Sequence, residues 1–570
     1  MKSNDSLMTI CFEHSMTDSS SNVKGSSLAK KTRSSKNKGR GKRQQKSSQL
    51  PPVIIAEVTE ITEHGEALAV PAEWGDSRRR PPSILLDNEQ APSVGDAVLV
   101  KISKSGGHSY DGKVLKILPH KPTKTVVGVY QHTKRGGLIE PVNRKQKQDY
   151  FVAHGDELEA ESGQLVIAEA VPRARNKQLG LPCAKVKEVL GEMDDPRTYS
   201  LIAIFHQDIP VDFSAEAIAQ AEAAIEPVPK GRTDLREIPL ITIDGADARD
   251  FDDAVFAEPH GEDGWHVLVA IADVAHYVEA DSALDKEALK RGNSTYFPDR
   301  VVPMLPEALS NGLCSLNPKV DRYCLAVHLY IDAEGNLTNH QFVRAIMRSH
   351  ARLTYEQAQE IKNQSSSCGE RSESTGSVTD SAQAGASQND VEKWLNHLYG
   401  AYATLLKARD RRGAMELDLP EFNIEIGDDG HVAKVNKRQR LDSHKLIEEC
   451  MVTANIAAGI TIENHRLPGV YRVHEPPSDD KVEEVKLFLK SMGFSLSPTP
   501  TVKDFNKLLG KARGTPMEAL LSGAILRSQM QALYLPNNLG HFGLGLTHYS
   551  HFTSPIRRYS DLITHRAIAR

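Results

Sequence analysis

The sequence predicts a multidomain protein in which N-terminal β-barrels of OB type precede a large mixed α/β domain. Three observations lead there. The chain has 570 residues, which corresponds to about three to five domains. Between 51 and 190, short stretches of alternating hydrophobicity are broken by glycine turns. From about 190 onward, helical patterns alternate with strongly apolar strands.

Residues 1–50 read as a disordered basic arm. Positions 24–46 hold ten Lys/Arg and no acid. Over 1–50 there are eleven basic and three acidic side chains, so the overall charge of −5 divides into +8 on the arm and −13 on the rest. A basic arm on an acidic body suits a polyanionic partner held through phosphate contacts, and a solvated tail is the other reading. Residues 51–118 form the first expected barrel. VIIAEVTEITEHGEALAVP gives two strands around a glycine turn, and DAVLVKIS and DGKVLKIL give two more. Residues 119–190 repeat the pattern with TVVGVYQHTKRGGLIEPV and DELEAESGQLVIAEAVP. Two barrels of about 70 residues fit this spacing, and a single irregular β domain is the alternative.

Residues 191–570 are expected to form one α/β domain. SAEAIAQAEAAI has helical spacing and HVLVAIADV is an apolar strand. Residues 364–390 are Ser-rich and almost free of large apolar side chains, so they read as a surface insertion. THRAIAR, at 564–570, reads as the first turns of a helix. No run approaches the roughly 20 apolar residues of a membrane span, and the first residues lack the apolar core of a signal peptide. Six cysteines, none in CxxC spacing, fit a reducing cytoplasm rather than a disulfide scaffold or zinc ribbon.

The chemistry concentrates at 240–258, LITIDGADARDFDDAVFAE. Asp244, Asp247, Asp250, Asp252 and Asp253 crowd between two apolar runs, with Arg249 as the one cation. Carboxylates pressed together beside a core repel unless a cation joins them. Hard oxygen donors without Cys or His favour Mg²⁺ or Mn²⁺ over zinc. Asp250 and Asp252 share a direction if the segment is extended, Asp253 can reach a neighbouring ion, and Asp244 returns across the Gly245 turn. Paired ions of this kind are the usual device for in-line phosphodiester cleavage. A calcium loop or a solvated acidic turn is the competing reading, although the EF-hand spacing is absent.

IDGADARDFDDAV resembles the signature of the ribonuclease II / ribonuclease R family, the RNB exoribonucleases, and is most similar to its bacterial ribonuclease R branch. VAIADVAHYV, RVVPMLPEALSNGLCSLNP, HKLIEECMVTANIAA, GVYRVHEPP and HFGLGLTHYSHFTSPIRRYSDLITHR agree, so the resemblance covers about 51–570. It implies two cold-shock OB domains, an RNB catalytic domain and an S1 domain. The S1 domain has no counterpart before Arg570, so a catalytic domain incomplete at its C-terminus and a truncated chain are expected. The implied activity is processive 3′→5′ hydrolysis of RNA to nucleoside 5′-monophosphates, by a cytoplasmic monomer acting on single-stranded 3′ ends. An RNA-binding module without turnover is the alternative.

The resemblance also implies roles. Asp244, Asp250, Asp252 and Asp253 would hold two divalent ions, Mg²⁺ with Mn²⁺ as a substitute, and turnover would depend most on Asp252. Asp247 falls outside that set. Arg557 would contact phosphate at the cleavage site. Tyr296 would clamp the last base, and Tyr355 and Glu448 would read the ribose hydroxyl. Helical spacing places His444, Glu448 and Asn455 along one border of the apolar stripe and sends Glu449 to solvent. A second stacking position, aromatic in much of the family, falls on Leu417.

Overall fold

The computed structural model describes residues 50–61, 67–72, 81–87, 96–106, 109–117, 125–143, 148–171, 181–193, 195–367, 387–417, 421–427 and 431–570. The basic arm therefore lies outside the described residues, apart from Leu50, as does 368–386 of the Ser-rich insertion. The described chain forms two compact units, one within 50–209 and one within 210–427 and 432–570.

The first unit holds two closed five-stranded barrels. Strands β1 (Val53–Ile61), β2 (Ala67–Pro71), β3 (Ser83–Leu86), β4 (Ala97–Gly106) and β5 (Ser109–Ile117) close in the order β1-β2-β3-β5-β4. Period-2 alternation fills the interior with Ala56, Val58, Ala67, Ala69, Ile84, Leu86, Val98, Val100 and Val114. Strands β6 (Thr125–Thr133), β7 (Gly136–Pro141), β8 (Tyr150–Val152), β9 (Gln164–Val171) and β10 (Cys183–Glu192) close as β10-β8-β7-β6-β9. Gly137 is required here, because a Cβ would stand 2.1 Å from the buried Tyr130 ring. Each barrel is thus built of more strands than the sequence reading marked. Ser83–Leu86 is short and follows a Pro-Pro pair, and DELEAES forms turns instead of a strand.

The second unit is built on a seven-stranded sheet. Its strands are β11 (Thr233–Asp234), β12 (Ile241–Asp244), β13 (Asp253–His260), β14 (Gly264–Ala272), β17 (Asp321–Ile331), β18 (Leu337–Arg348) and β19 (Ala351–Thr354), in the order β11-β18-β17-β14-β13-β12-β19. The hairpin of β15 (Thr295–Tyr296) and β16 (Val301–Val302) stands apart. Strand β14 is buried on both faces. Val267, Val269 and Ile271 pack toward the helices Tyr355–Ser367, Gln388–Arg412 and Asp442–Asn464. Leu268, Ala270 and Ala272 pack toward the helix Ala283–Arg291 and the loop residues Met304, Leu305 and Leu316. A central strand covered on both sides needs this continuous apolar run. Helices Asp479–Ser491, Val502–Ala512 and Glu518–Ser528 form a satellite core around Phe505.

Two local expectations are corrected. The helix Tyr355–Ser367 runs into the Ser-rich segment, and the next helix starts at Gln388 behind the N-cap Ser387, so the irregular stretch is shorter than 364–390 at both ends. THRAIAR supplies the last turns of the helix Tyr559–Ile568, not its first, because Arg558 already occupies the N-cap position.

Candidate active site

The aspartates sit where β12 ends, at Asp244, and β13 begins, at Asp253. The intervening loop is pinned from two sides. Phe251 is buried in the core, its N–H donates to Ser315 Oγ at 3.0 Å, and Ser315 Oγ donates to Arg249 O at 2.8 Å. From β19, Arg352 lies over the Phe251 ring at 4.8 Å and donates to Ala246 O and Ala248 O. With Phe251 facing inward as the anchor, the neighbouring carboxylates are held in place instead of fluctuating as an acidic turn.

Asp252 is the most buried of them, 4 % exposed. Its Oδ1 accepts the Ile556 N–H at 2.9 Å. Its Oδ2 is buried without a hydrogen-bond partner and lies 3.9 Å from Arg557 Nε. Burial pushes this carboxyl well above the usual range. Arg557 and the Ile556 N–H pull it back, and Asp250 and Asp253 push it further up. The three carboxylates therefore feel one another, as the sequence spacing anticipates. Asp247 is exposed.

Tyr296 donates from its hydroxyl to Asp250 Oδ2 at 3.1 Å. Its hairpin is tied to the arginine loop, since Ser294 N–H donates to Arg557 O at 3.0 Å. Burial raises the Tyr296 phenol, with Asp250 adding to it. Burial likewise raises Tyr355, with Asp244 and Asp253 adding and Arg557 opposing. The four aspartates, Tyr296, Tyr355 and Arg557 thus share one electrostatic neighbourhood.

Arg557 is itself buried, and its Nη2 donates to Ser554 Oγ at 3.2 Å. The loop that carries it is set by two buried groups that the sequence reading did not assign. Asp561 accepts from Ser554 N–H and Arg558, both at 2.8 Å. Asn455 accepts the Phe552 N–H at 2.8 Å and donates to the Tyr549 hydroxyl at 3.3 Å. Ser315, Asn455 and Asp561 all lie in the motifs quoted above, which marks the segments without revealing which polar atom does the holding.

One of the two glutamates differs from expectation. Glu449 does not face solvent. It is 1 % exposed and bridges Arg409 and Arg412, the latter at 3.2 Å, from the last turn of the helix Gln388–Arg412. Two arginines supply the charge that lets a carboxylate enter this core. Glu448 stands at the helix border, paired with Arg440 and with Arg409 at 3.5 Å. His444 stacks on Tyr355, ring centroids 4.0 Å apart and planes 15° apart. Burial lowers His444 to about 4. Leu417 packs against the satellite core of three helices, so its side chain is engaged in packing.

Among the described residues no three of His, Cys, Asp and Glu converge as a preformed metal cage. The donor set nonetheless fits a hard divalent cation. A buried carboxylate oxygen lacks a hydrogen-bond partner, further carboxylates repel it, and Mg²⁺ is typically held by one or two carboxylates with water and phosphate oxygens completing the shell.

Comparisons with known proteins agree with this architecture. The family model "RNB domain" matches residues 232–570, and "Cold shock domain" matches 139–214. Ribonuclease R of Vibrio parahaemolyticus is 40 % identical over 498 residues, which cover 85 % of this chain and 57 % of that protein. Ribonuclease R of Thermotoga maritima is 35 % identical over 522 residues, covering 89 % and 68 %. The structure of Mycoplasma genitalium RNase R in complex with ribose-methylated single-stranded RNA matches with a TM-score of 0.69 at 25 % identity, over 90 % of this chain and 78 % of that one. The chain therefore spans between about half and about four fifths of the length of these relatives. With cold-shock/OB barrels followed by a domain that the RNB model matches throughout 232–570, the chain belongs to the RNB family, alongside the bacterial ribonucleases R.

Proposed function

We propose that this chain is a 3′→5′ exoribonuclease of the exoribonuclease II type, which hydrolyses single-stranded RNA processively to nucleoside 5′-monophosphates. The observation that carries the reading is the buried Asp252 Oδ2, which accepts no hydrogen bond, is flanked by Asp250 and Asp253 and faces Arg557 at 3.9 Å. We assign Asp244, Asp250, Asp252 and Asp253 to divalent ions, two of them, Mg²⁺ or Mn²⁺ in its place. When bound, such ions supply an activated water and stabilise the attacking and leaving oxygens. Arg557, fixed by Ser554 and Asp561, donates to a phosphate oxygen at the scissile position. Tyr296, its hydroxyl tied to Asp250, offers its ring to the terminal base, and stacking tolerates any base. Tyr355 and Glu448 address the ribose, whose 2′-hydroxyl distinguishes RNA from DNA. Cytoplasmic action as a monomer belongs to the same reading. Among the described residues no helix is long and apolar enough to cross a membrane.

The test is incubation of 5′-labelled single-stranded RNA. With Mg²⁺ a ladder shortening from the 3′ end and nucleoside 5′-monophosphates are expected. With EDTA the RNA stays intact, and circular RNA survives under both conditions. RNA that is bound but never shortened would replace this reading by the binding module.

Sugar reading gives a narrower prediction. Tyr355→Phe keeps the ring on His444 and removes only the hydroxyl, for which no partner is found among the described residues. One lost hydrogen bond is worth about 1 kcal/mol, so the preference for RNA over DNA should relax about fivefold. Affinities for matched RNA and DNA oligonucleotides measure it. An equal loss of both would make Tyr355 a packing residue only.

A further inference from the structure

The strand Val432–Lys437 ends and runs on to the helix Asp442–Asn464 through KRQRL, three cations in four residues, of which Lys437 is the last of the strand, and then Leu441. It is fastened at three points, one just before the neighbouring hairpin strand and two on the helix that carries Glu448. Arg438 N–H donates to Glu421 O at 2.8 Å, Arg440 is paired with Glu448, and Leu441 N–H donates to His444 Nδ1 at 3.2 Å. His444 is the ring under Tyr355. The connector thus runs along the side where Tyr355 and Glu448 stand.

Arg438 is the exception among the nearby arginines. Arg409, Arg412 and Arg440 are paired with carboxylates, and Arg352 is satisfied by two carbonyls. Arg438 is a partly buried residue, and its guanidinium makes no ion pair or side-chain hydrogen bond with any described residue. Its positive field is nevertheless felt at Tyr355 and at His444. Among the described residues this guanidinium therefore keeps its hydrogen-bonding capacity for a ligand. Its planar fork matches two oxygens of a phosphodiester.

We infer that Arg438 is an RNA-binding residue that grips one backbone phosphate beside the nucleotide whose ribose faces Tyr355, with Lys437 adding electrostatic attraction. This rests on the proposed action on RNA and adds a phosphate subsite to it. Arg557 serves the scissile phosphate, and Arg438 serves a different one. The subsite holds the strand in register without taking part in the chemistry.

The experiment uses the full chain, EDTA to prevent cleavage, and 5′-labelled oligoribonucleotides that each carry one uncharged methylphosphonate linkage, moved stepwise from the 3′ end. In the unsubstituted protein, neutralising the gripped linkage should weaken binding about tenfold. Arg438→Ala should bind unmodified RNA about tenfold more weakly and lose its sensitivity at that one linkage only. Arg438→Lys should retain part of it. Arg438→Gln, which keeps the stem, gives the same reading if the alanine variant unfolds, and thermal melts report folding. A sensitivity profile in Arg438→Ala or Arg438→Gln identical to that of the unsubstituted protein overturns the inference while leaving the exonuclease reading intact. An unsubstituted protein that neither binds nor shortens RNA overturns both.

Discussion

Asp252→Asn should abolish the proposed RNA hydrolysis and leave RNA affinity intact or higher. The fold should survive, because asparagine keeps the oxygen that accepts the Ile556 N–H at 2.9 Å and has nearly the same volume. Removing a charge from a buried site that already strains toward its neutral form relieves desolvation and the repulsion from Asp250 and Asp253. What disappears is the anionic oxygen that would balance a divalent ion's loss of water. That loss falls on the transition state more than on bound RNA, so turnover drops while affinity does not. Less repulsion of the phosphate is the reason affinity can rise. The expected fall is about 10²- to 10⁴-fold, about 3–5 kcal/mol of barrier. Asp247→Asn is the control, since that side chain is exposed on the same loop. Single-turnover cleavage beside a gel-shift titration reads both quantities. Near-normal cleavage by Asp252→Asn, or equal damage from Asp247→Asn, would remove the assignment.

Periodicity in the sequence reports which face of an element is buried, and that was enough for much of this fold. The alternation in VIIAEVTEI and the continuous apolar run of β14 anticipate a barrel wall and a doubly covered central strand. The carboxylate cluster was equally legible, because its charges are adjacent in sequence. Partners that arrive from far away were not. Ser315 holds the Phe251 N–H from 64 residues away, and Asn455 holds the Phe552 N–H from 97 residues away. No local pattern marks either hydroxyl or amide as a bracket. The same blindness produced the misreading of Glu449. Its helical phase lies off the apolar stripe, which predicts exposure only when nothing cationic is brought against it.

Glu449→Ala should therefore be a severe stability lesion, while Glu448→Ala, one residue away, should be mild. Glu449 is 1 % exposed and its two oxygens are divided between Arg409 and Arg412, whose side chains are 15 % and 18 % exposed. Removing the carboxylate leaves two poorly hydrated guanidinium groups with only Glu448, 3.5 Å from Arg409, as a remaining counter-charge. Breaking a buried ion network from one side costs about 3–5 kcal/mol, most of it from the stranded charges and not from the lost attraction. Glu448 is 21 % exposed and Arg440 42 % exposed, where a pair contributes about 0–1 kcal/mol. A triple replacement, Glu449→Leu with Arg409→Met and Arg412→Met, should recover much of the stability lost by Glu449→Ala, because no stranded charge remains. Urea denaturation of the four proteins measures this. The functional readout separates the two glutamates again, since Glu448→Ala should relax the preference for RNA over DNA in a protein of nearly unchanged stability. Equal destabilisation by the two alanine variants would show that the buried network is not what anchors the helix Gln388–Arg412 to the helix Asp442–Asn464.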